Sequence, residues 1–459
     1  MPGTPTDPAR PGPARPAAPT AGQSGSRRIR ITNLYATPWH SAAGADRGDL
    51  PGYLNLGRLE RYYLLSADQL PRVLQREELD CATLTFRRWP HHGRVTGARL
   101  WLFRLPSGQV VAALSVDARC ELIDTIELLE DCYYGEVLIG GRPVEEHAHA
   151  LAARLGADGS SDRCFLSERH QIVFDHEPAP DDCEDLVQKL VYRIDLPYRK
   201  EYSAIRYPAE LNRRPGWLTA VGPYVSVFCG YQGYIENAVF ASAVHGVAAA
   251  AQLRAIRHAA YADVRLFRKL EGDPGSTQAR RRTLETIADQ LGDLELELSY
   301  SVEASADLGL LVPSLRAESF HHSLYESMDL AARAVTAGRM LARLGSAIGA
   351  ELTAIESIER RADDNRRVRY AVAVGLVSAV AIPGSLILAY LGINASQVDA
   401  RRSMFSHHYL GMYVTVGAVI VLGAAVSLAL YIQQRREARH HRALAQRPRW
   451  TPALDNPEG

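Results

Sequence analysis

A hydroxyl and a carboxamide, Ser385 and Asn394, stand nine residues apart near the end of a long apolar run, and Gly392 and Ile393 complete a Gly-Ile-Asn triplet. Neither side chain is charged, so both act through hydrogen bonds. A ring of such groups around an axis would hold a hydrated cation through its water shell without trapping it. Magnesium suits this chemistry because it sheds its waters reluctantly. Nine residues make two and a half helical turns, a separation read here as letting both groups face one axis. Gly392 would let the backbone turn tightly after the run and expose carbonyls. Ile382, with Val374 and Ala371 lower on the same face, would form an apolar constriction that excludes water. The plainer reading of Gly-Ile-Asn is a helix terminus in which glycine supplies the left-handed cap.

The elements that must position these residues are two uncharged segments, 370–391 and 409–432. Crossing ~30 Å of hydrocarbon takes roughly 20 apolar residues, and both segments meet that length. Tyr370, Tyr390, Tyr409 and Tyr431 stand at their ends, where amphipathic rings favour the headgroup layer. A pair of buried core helices is the alternative. Arg360, Arg361, Arg366, Arg367 and Arg369 precede the first segment, and Arg435, Arg436, Arg439 and Arg442 follow the second. The connecting stretch 392–408 holds only Arg401 and Arg402. The bias of positive charge toward the cytoplasm then predicts a multi-pass plasma-membrane protein with both termini inside and a short outside loop.

Upstream, Leu324, Met328, Ala331 and Val335, then Leu341, Leu344, Ile348, Leu352 and Ile355, form an apolar stripe that no proline interrupts. A helix over 321–391 would extend about 105 Å. A seam this narrow asks for partners, so 321–369 reads as a coiled-coil-like stalk that associates with copies of itself. Stalk, Pro383 and Ser385 in the first span, Gly392-Ile393-Asn394, short loop, second span and basic tail together resemble the CorA-type (two-transmembrane, Gly-x-Asn) family of magnesium and divalent-cation channels. The resemblance covers roughly 320–435. It implies a homo-oligomer, pentameric in that family, whose central pore passes magnesium or another divalent cation with Asn394 in its selectivity ring. Pro383 and Ser385 stand in the places of the family's proline and hydroxyl residue. Ile393 stands where the family carries methionine. Asp399 is the loop's one acidic residue, and Arg401 and Arg402 beside it would repel a divalent ion at the mouth. A second function therefore stays open: a non-conducting membrane-tethered sensor or effector that reuses the scaffold.

The remaining chain reads as an α+β (α/β-type) cytoplasmic domain over 28–233, preceded by a Pro- and Ala-rich tail, 1–27, with no apolar core of a secretory signal. Strands are expected at Ile29–Tyr35, Cys81–Phe86, Gln171–Phe174 and Val221–Phe228, a hairpin at Leu100–Leu105 and Gln109–Val116 about Pro106-Ser107-Gly108, and a helix at Glu145–Leu155 opened by Pro143. A helical region over 234–320 follows, its first helix ended by Gly272-Asp273-Pro274-Gly275. In it, Leu284, Ile287, Leu291, Leu294 and Leu298 form a stripe. Asp289, Asp293, Glu295 and Glu297 cover the other faces, as a solvated surface or, more sharply, a regulatory divalent-cation site. Residues 433–459 form a basic cytoplasmic tail. The balance of 52 basic and 52 acidic residues argues against a nucleic-acid partner. The six cysteines lack metal or disulfide spacing and read as buried thiols. The pairs His321-His322, His407-His408 and His440-His441 read as surface polar residues. With no nucleophile elbow, P-loop, zinc-protease or dinucleotide motif, no enzyme and no resident cofactor are expected.

Overall fold

The computed structural model describes residues 26–41, 48–90, 92–159, 165–181, 183–231, 233–272 and 277–393, and short stretches between 407 and 432. It is mixed α+β, a sheet-rich N-terminal part followed by long helices. Two compact units divide it, 1–348 and 349–459.

The first unit is organised by a mixed sheet. Its principal strands are β1 (Arg27–His40), β2 (Arg72–Leu79), β3 (Val95–Arg104), β4 (Gln109–Cys120), β5 (Arg169–Asp175), β6 (Leu218–Val221) and β7 (Val225–Cys229). They lie in the order β6-β7-β5-β1-β4-β3-β2, antiparallel throughout except for the parallel pair β5 and β7. Strict alternation sends successive side chains to opposite faces. From β1, Ile29, Ile31 and Tyr35 enter one core, while Leu34 and Ala36 enter the other. On β3 the same rule sends Leu100 and Leu102 one way and Trp101 and Phe103 the other.

Each face then needs a cover. Helices α1 (Thr125–Tyr134), α2 (Val144–Arg154) and α3 (Cys183–Tyr192) contribute Leu128, Leu151 and Leu190 to the first core. The second face is covered by α4 (Tyr234–Gly272), whose Val239, Phe240, Val244 and Val247 pack on it. Phe240 meets Phe103 edge-on at 5.3 Å between ring centres. Among the described residues, one helix, Tyr234–Leu270, is long and apolar enough to cross a membrane by length and composition, yet 78% of its apolar window is buried. It is the core helix of the second face, so the change from strands to helices at Tyr234 is not a change of core.

Several elements depart from expectation. The run Val221–Phe228 is two strands, because Gly222 turns the chain back and donates its N–H to Val225 at 2.9 Å. A Cβ on Gly222 would lie 2.3 Å from Val191 Cγ1, so only glycine fits there. Cys81–Thr83 is a 3-10 turn, held by Asp80 Oδ1 accepting from the Ala82 N–H at 3.0 Å, and only Leu84–Phe86 is strand. The hairpin forms at the expected turn, where Gly108 adopts φ +85° and donates to Leu105 O at 2.8 Å. Pro143 occupies the cap position of α2.

The long helices follow. Helix α5 (Thr277–Glu297) buries Leu284, Ile287 and Leu291, and runs into a π-helical turn, Leu298–Glu303, that buries Leu298. Asp289, Asp293 and Glu295 face solvent. Helix α6 (Leu315–Ser327) opens on Ser314, whose hydroxyl accepts from the Ala317 N–H, and ends at Asp329, which takes the left-handed conformation at φ 57°. Helix α7 then runs from Leu330 to Ile393 without interruption over 64 residues. The stalk helix therefore starts at Leu330 instead of 321. Asp is among the few non-glycine residues that tolerate the left-handed region, which is how the chain breaks there without proline. The break also resets the stripe: Leu330, Ala334, Ala337, Leu341, Leu344 and Ile348 are buried, whereas Ala331 and Val335, expected inside, face solvent.

Candidate functional site

The residues assigned to a pore fall on the end of α7. Pro383 lies inside this helix and is buried, and Ser385 Oγ donates to the Ile382 carbonyl at 2.8 Å, the local back-bond open to a helical serine. Ile382, Val374 and Val377 expose 58%, 64% and 68% of their surface. Ala371 is also exposed. Gly392 and Ile393 are the last helical residues of α7, so no tight turn occurs at Gly392. Asn394, Asp399, Arg401 and Arg402 lie outside the described residues. The nine-residue spacing does not put the two groups on one helix face. At 100° per residue it amounts to two turns and a half, which places positions 385 and 394 on opposite sides of a regular helix. Ser385 and Asn394 could share an axis only if the helix were bent or ended between them. Pro383 precedes both positions, and a proline bends the turn on its N-terminal side, so it does not bring them together.

In the first unit the structure gathers polar groups that the sequence reading had left apart. His321 is 1% exposed, not a surface residue. Adjacent residues on a helix point about 100° apart, so His321 turns inward from α6 while His322 stays outside. Its Nε2 lies 2.8 Å from the Ser305 carbonyl, which can only accept, so Nε2 carries the proton. Its Nδ1, 2.7 Å from Ser242 Oγ, is then the acceptor. Burial pushes the imidazole pKa down to about 4, partly offset by the Ser305 carbonyl. Ser305 Oγ meets Tyr325 Oη at 2.5 Å, which extends the chain of hydrogen bonds from α4 through α6 to the segment after the π-helical turn. His407 is exposed, and His408, His440 and His441 lie outside the described residues. Cys120, Cys132 and Cys229 are buried thiols, while Cys81 and Cys183 are half-buried.

A second cluster sits between the sheet and α4. Arg30 donates through Nε to Asp117 at 2.6 Å and through Nη1 to Glu236 at 2.7 Å. Asp117 also lies 3.4 Å from Arg99, whose Nε reaches Glu78 at 3.1 Å. Glu236 is 4% exposed, and burial raises its pKa against the opposing pull of Arg30. The adjoining cavity is about 100 Å³. Guanidinium and carboxylate groups answer one another here, and the space would take a few waters. The cluster therefore ties α4 to the sheet and does not form a ligand site.

Comparison with protein-family models, with curated proteins and with solved structures finds no match to this chain. Among the described residues, no group of three or more histidine, cysteine, aspartate or glutamate side chains is placed to hold a metal ion.

Proposed function

We propose that the chain is a homo-oligomeric membrane protein of CorA-like design that passes magnesium or another divalent cation through a central pore. The observation that carries this reading is α7. It is one helix from Leu330 to Ile393, and beyond Arg369 it carries no charged residue while Val374, Val377 and Ile382 stand exposed. Large apolar side chains left open on an uncharged helix call for a lipid surround or for copies of the same helix. The partly described helical residues between 410 and 432 behave alike, with Val414, Val421, Leu422 and Leu428 exposed. In this reading segments 370–391 and 409–432 span the plasma membrane, both termini face the cytoplasm, and α7 packs around the axis of a pentamer. Asn394 supplies the carboxamide ring that holds the ion through its water shell. Ile382 and Val374 narrow the pore below it.

The loop charges favour a second reading. With Asp399 alone against Arg401 and Arg402, the mouth would repel divalent cations. A non-conducting sensor or effector on the same scaffold would not be troubled by that. Complementation of a magnesium-uptake-deficient bacterial strain at limiting magnesium separates the two. Growth with the wild type and loss of growth with Asn394→Ala, at equal membrane abundance, is the expected result. Failure of the wild type to support growth, while present and oligomeric in the membrane, rejects conduction in favour of the sensor.

A further inference from the structure

A cavity of about 270 Å³ opens between α4, the π-helical turn and the turn of the β3–β4 hairpin. None of the pore residues belongs to it. Leu105, Pro106, Ala248 and Leu308 make up the apolar part of its lining. Ser301 and Ser305, whose hydroxyls already donate to Glu297 and to the Val302 carbonyl, and Gln252 add polar groups to the lining. His245 borders it from α4, 5% exposed, with its unpartnered Nε2 closed off from the open space. Burial, and secondarily His321, lowers the His245 pKa to about 3, so the ring is neutral. At the rim stand Tyr300 and Asp68, both exposed, and Asp68 is the one charged residue of the lining.

These features select a ligand. A cavity of roughly 150 Å³ accommodates a benzene ring, so this one has room for a bicyclic ring with a short arm. No lysine or arginine lines the cavity to hold a phosphate or carboxylate, whereas the rim carboxylate attracts a cation. π-Helical turns recur at functional sites because they break the regular hydrogen-bond ladder.

We propose that this cavity binds a compact aromatic amine, its ring among Leu105, Pro106, Ala248 and Leu308 and its ammonium group at Asp68. Binding does not rest on the pore reading. Its consequence for the long helix does, because a Cβ built on Gly338 of α7 would lie only 3.6 Å from Leu298 at the start of the π-helical turn. A ligand seated on that turn therefore acts where the stalk packs.

Calorimetric titration of the full-length protein in detergent tests this with two probes of the same ring and opposite charge, tryptamine and indole-3-acetate. Saturable tryptamine binding is expected, with indole-3-acetate weaker by at least about tenfold, ~1.4 kcal/mol. Ser301→Phe fills the cavity and removes tryptamine binding. Asp68→Asn, a change at an exposed position that leaves the fold alone, erases the preference between the probes. Absence of tryptamine binding to the wild type, equal binding of both probes, or discrimination unchanged in Asp68→Asn overturns the proposal. A separate loss of complementation in Asn394→Ala leaves these outcomes untouched.

Discussion

Strand β1 and the last third of α7 are both apolar runs, and they meet the need for burial in opposite ways. In β1, alternation divides the side chains between two cores, so that Ile31 and Leu34 are both fully buried within a few residues of each other. In α7 beyond Arg369, Tyr370, Val374, Val377 and Ile382 remain more than half exposed. The strand finds its partners in its own chain, with β4 and β5 beside it and helices above and below. The helix has no such cover among the described residues. An apolar surface inside a finished core and an apolar surface left uncovered therefore look alike in composition and differ in what the fold places against them.

The largest effect expected from this contrast is in the sheet. Phe103→Ala empties a fully buried position stacked on Trp101 and edge-on to Phe240, and should destabilise the first unit by ~3–5 kcal/mol in denaturant unfolding. On the proposed membrane reading, insertion should be unaffected. Val377→Asp should do the reverse. A charge in the middle of a span opposes insertion by ~2.5–3.5 kcal/mol, so the protein should shift toward the soluble fraction while the sheet unfolds as before. Equal solubility of Val377→Asp and wild type would remove the distinction between the two regions.

The smallest and most graded effect is pH. His170, His245 and His321 have folded-state pKa values of about 3, 3 and 4, each lowered first by burial from the ordinary 6.5. Between those values and 6.5 the unfolded chain binds more protons than the folded one. Stability is therefore complete above pH 6.5 and falls on acidification by ~1.4 kcal/mol per pH unit for each such group. Thermal melts of the first unit's signal from neutral pH down to about 4 should show this. His321→Gln, which can still donate to the Ser305 carbonyl, should make the slope shallower by one group. A slope unchanged in that variant would mean that His321 is not held neutral by its site.

How far the fold could be read in advance depended on whether the signal was local. The hairpin at Leu105 to Gln109 was legible because Pro106-Ser107-Gly108 dictates a turn whatever surrounds it. The division of Val221–Phe228 at Gly222 was not, since an apolar run of that length satisfies a single strand equally well. The glycine's necessity lies in the approach of Val191, a contact from a distant part of the chain. The start of the stripe on α7, Ala331 and Val335, was displaced by one position because its phase is set by one left-handed aspartate, whereas Leu341, Leu344, Ile348 and Ile355 are buried as expected. His321 was misjudged because two adjacent histidines look like a surface pair until a helix turns one of them inward. Of the candidate pore, the apolar helix and its proline were legible as pattern, whereas Asn394 and the loop arginines lie outside the described residues. The cavity at His245 had no sequence signature at all. It is assembled from a hairpin turn, one helix and a π-helical turn that are remote from one another along the chain.

The left-handed Asp329 has a bearing on protein engineering. Every buried contact of the first turns of α7 is counted from that residue, and one residue more or less there would swing the helix face by about 100°. A chimera that joins this helix to a foreign sensor should therefore carry the Met328-Asp329 junction with it, or be spliced in multiples of seven residues beyond it. Otherwise Ala331 and Val335 would be turned inward in place of Leu330 and Ala334, and the graft would be folded yet out of phase with its neighbours.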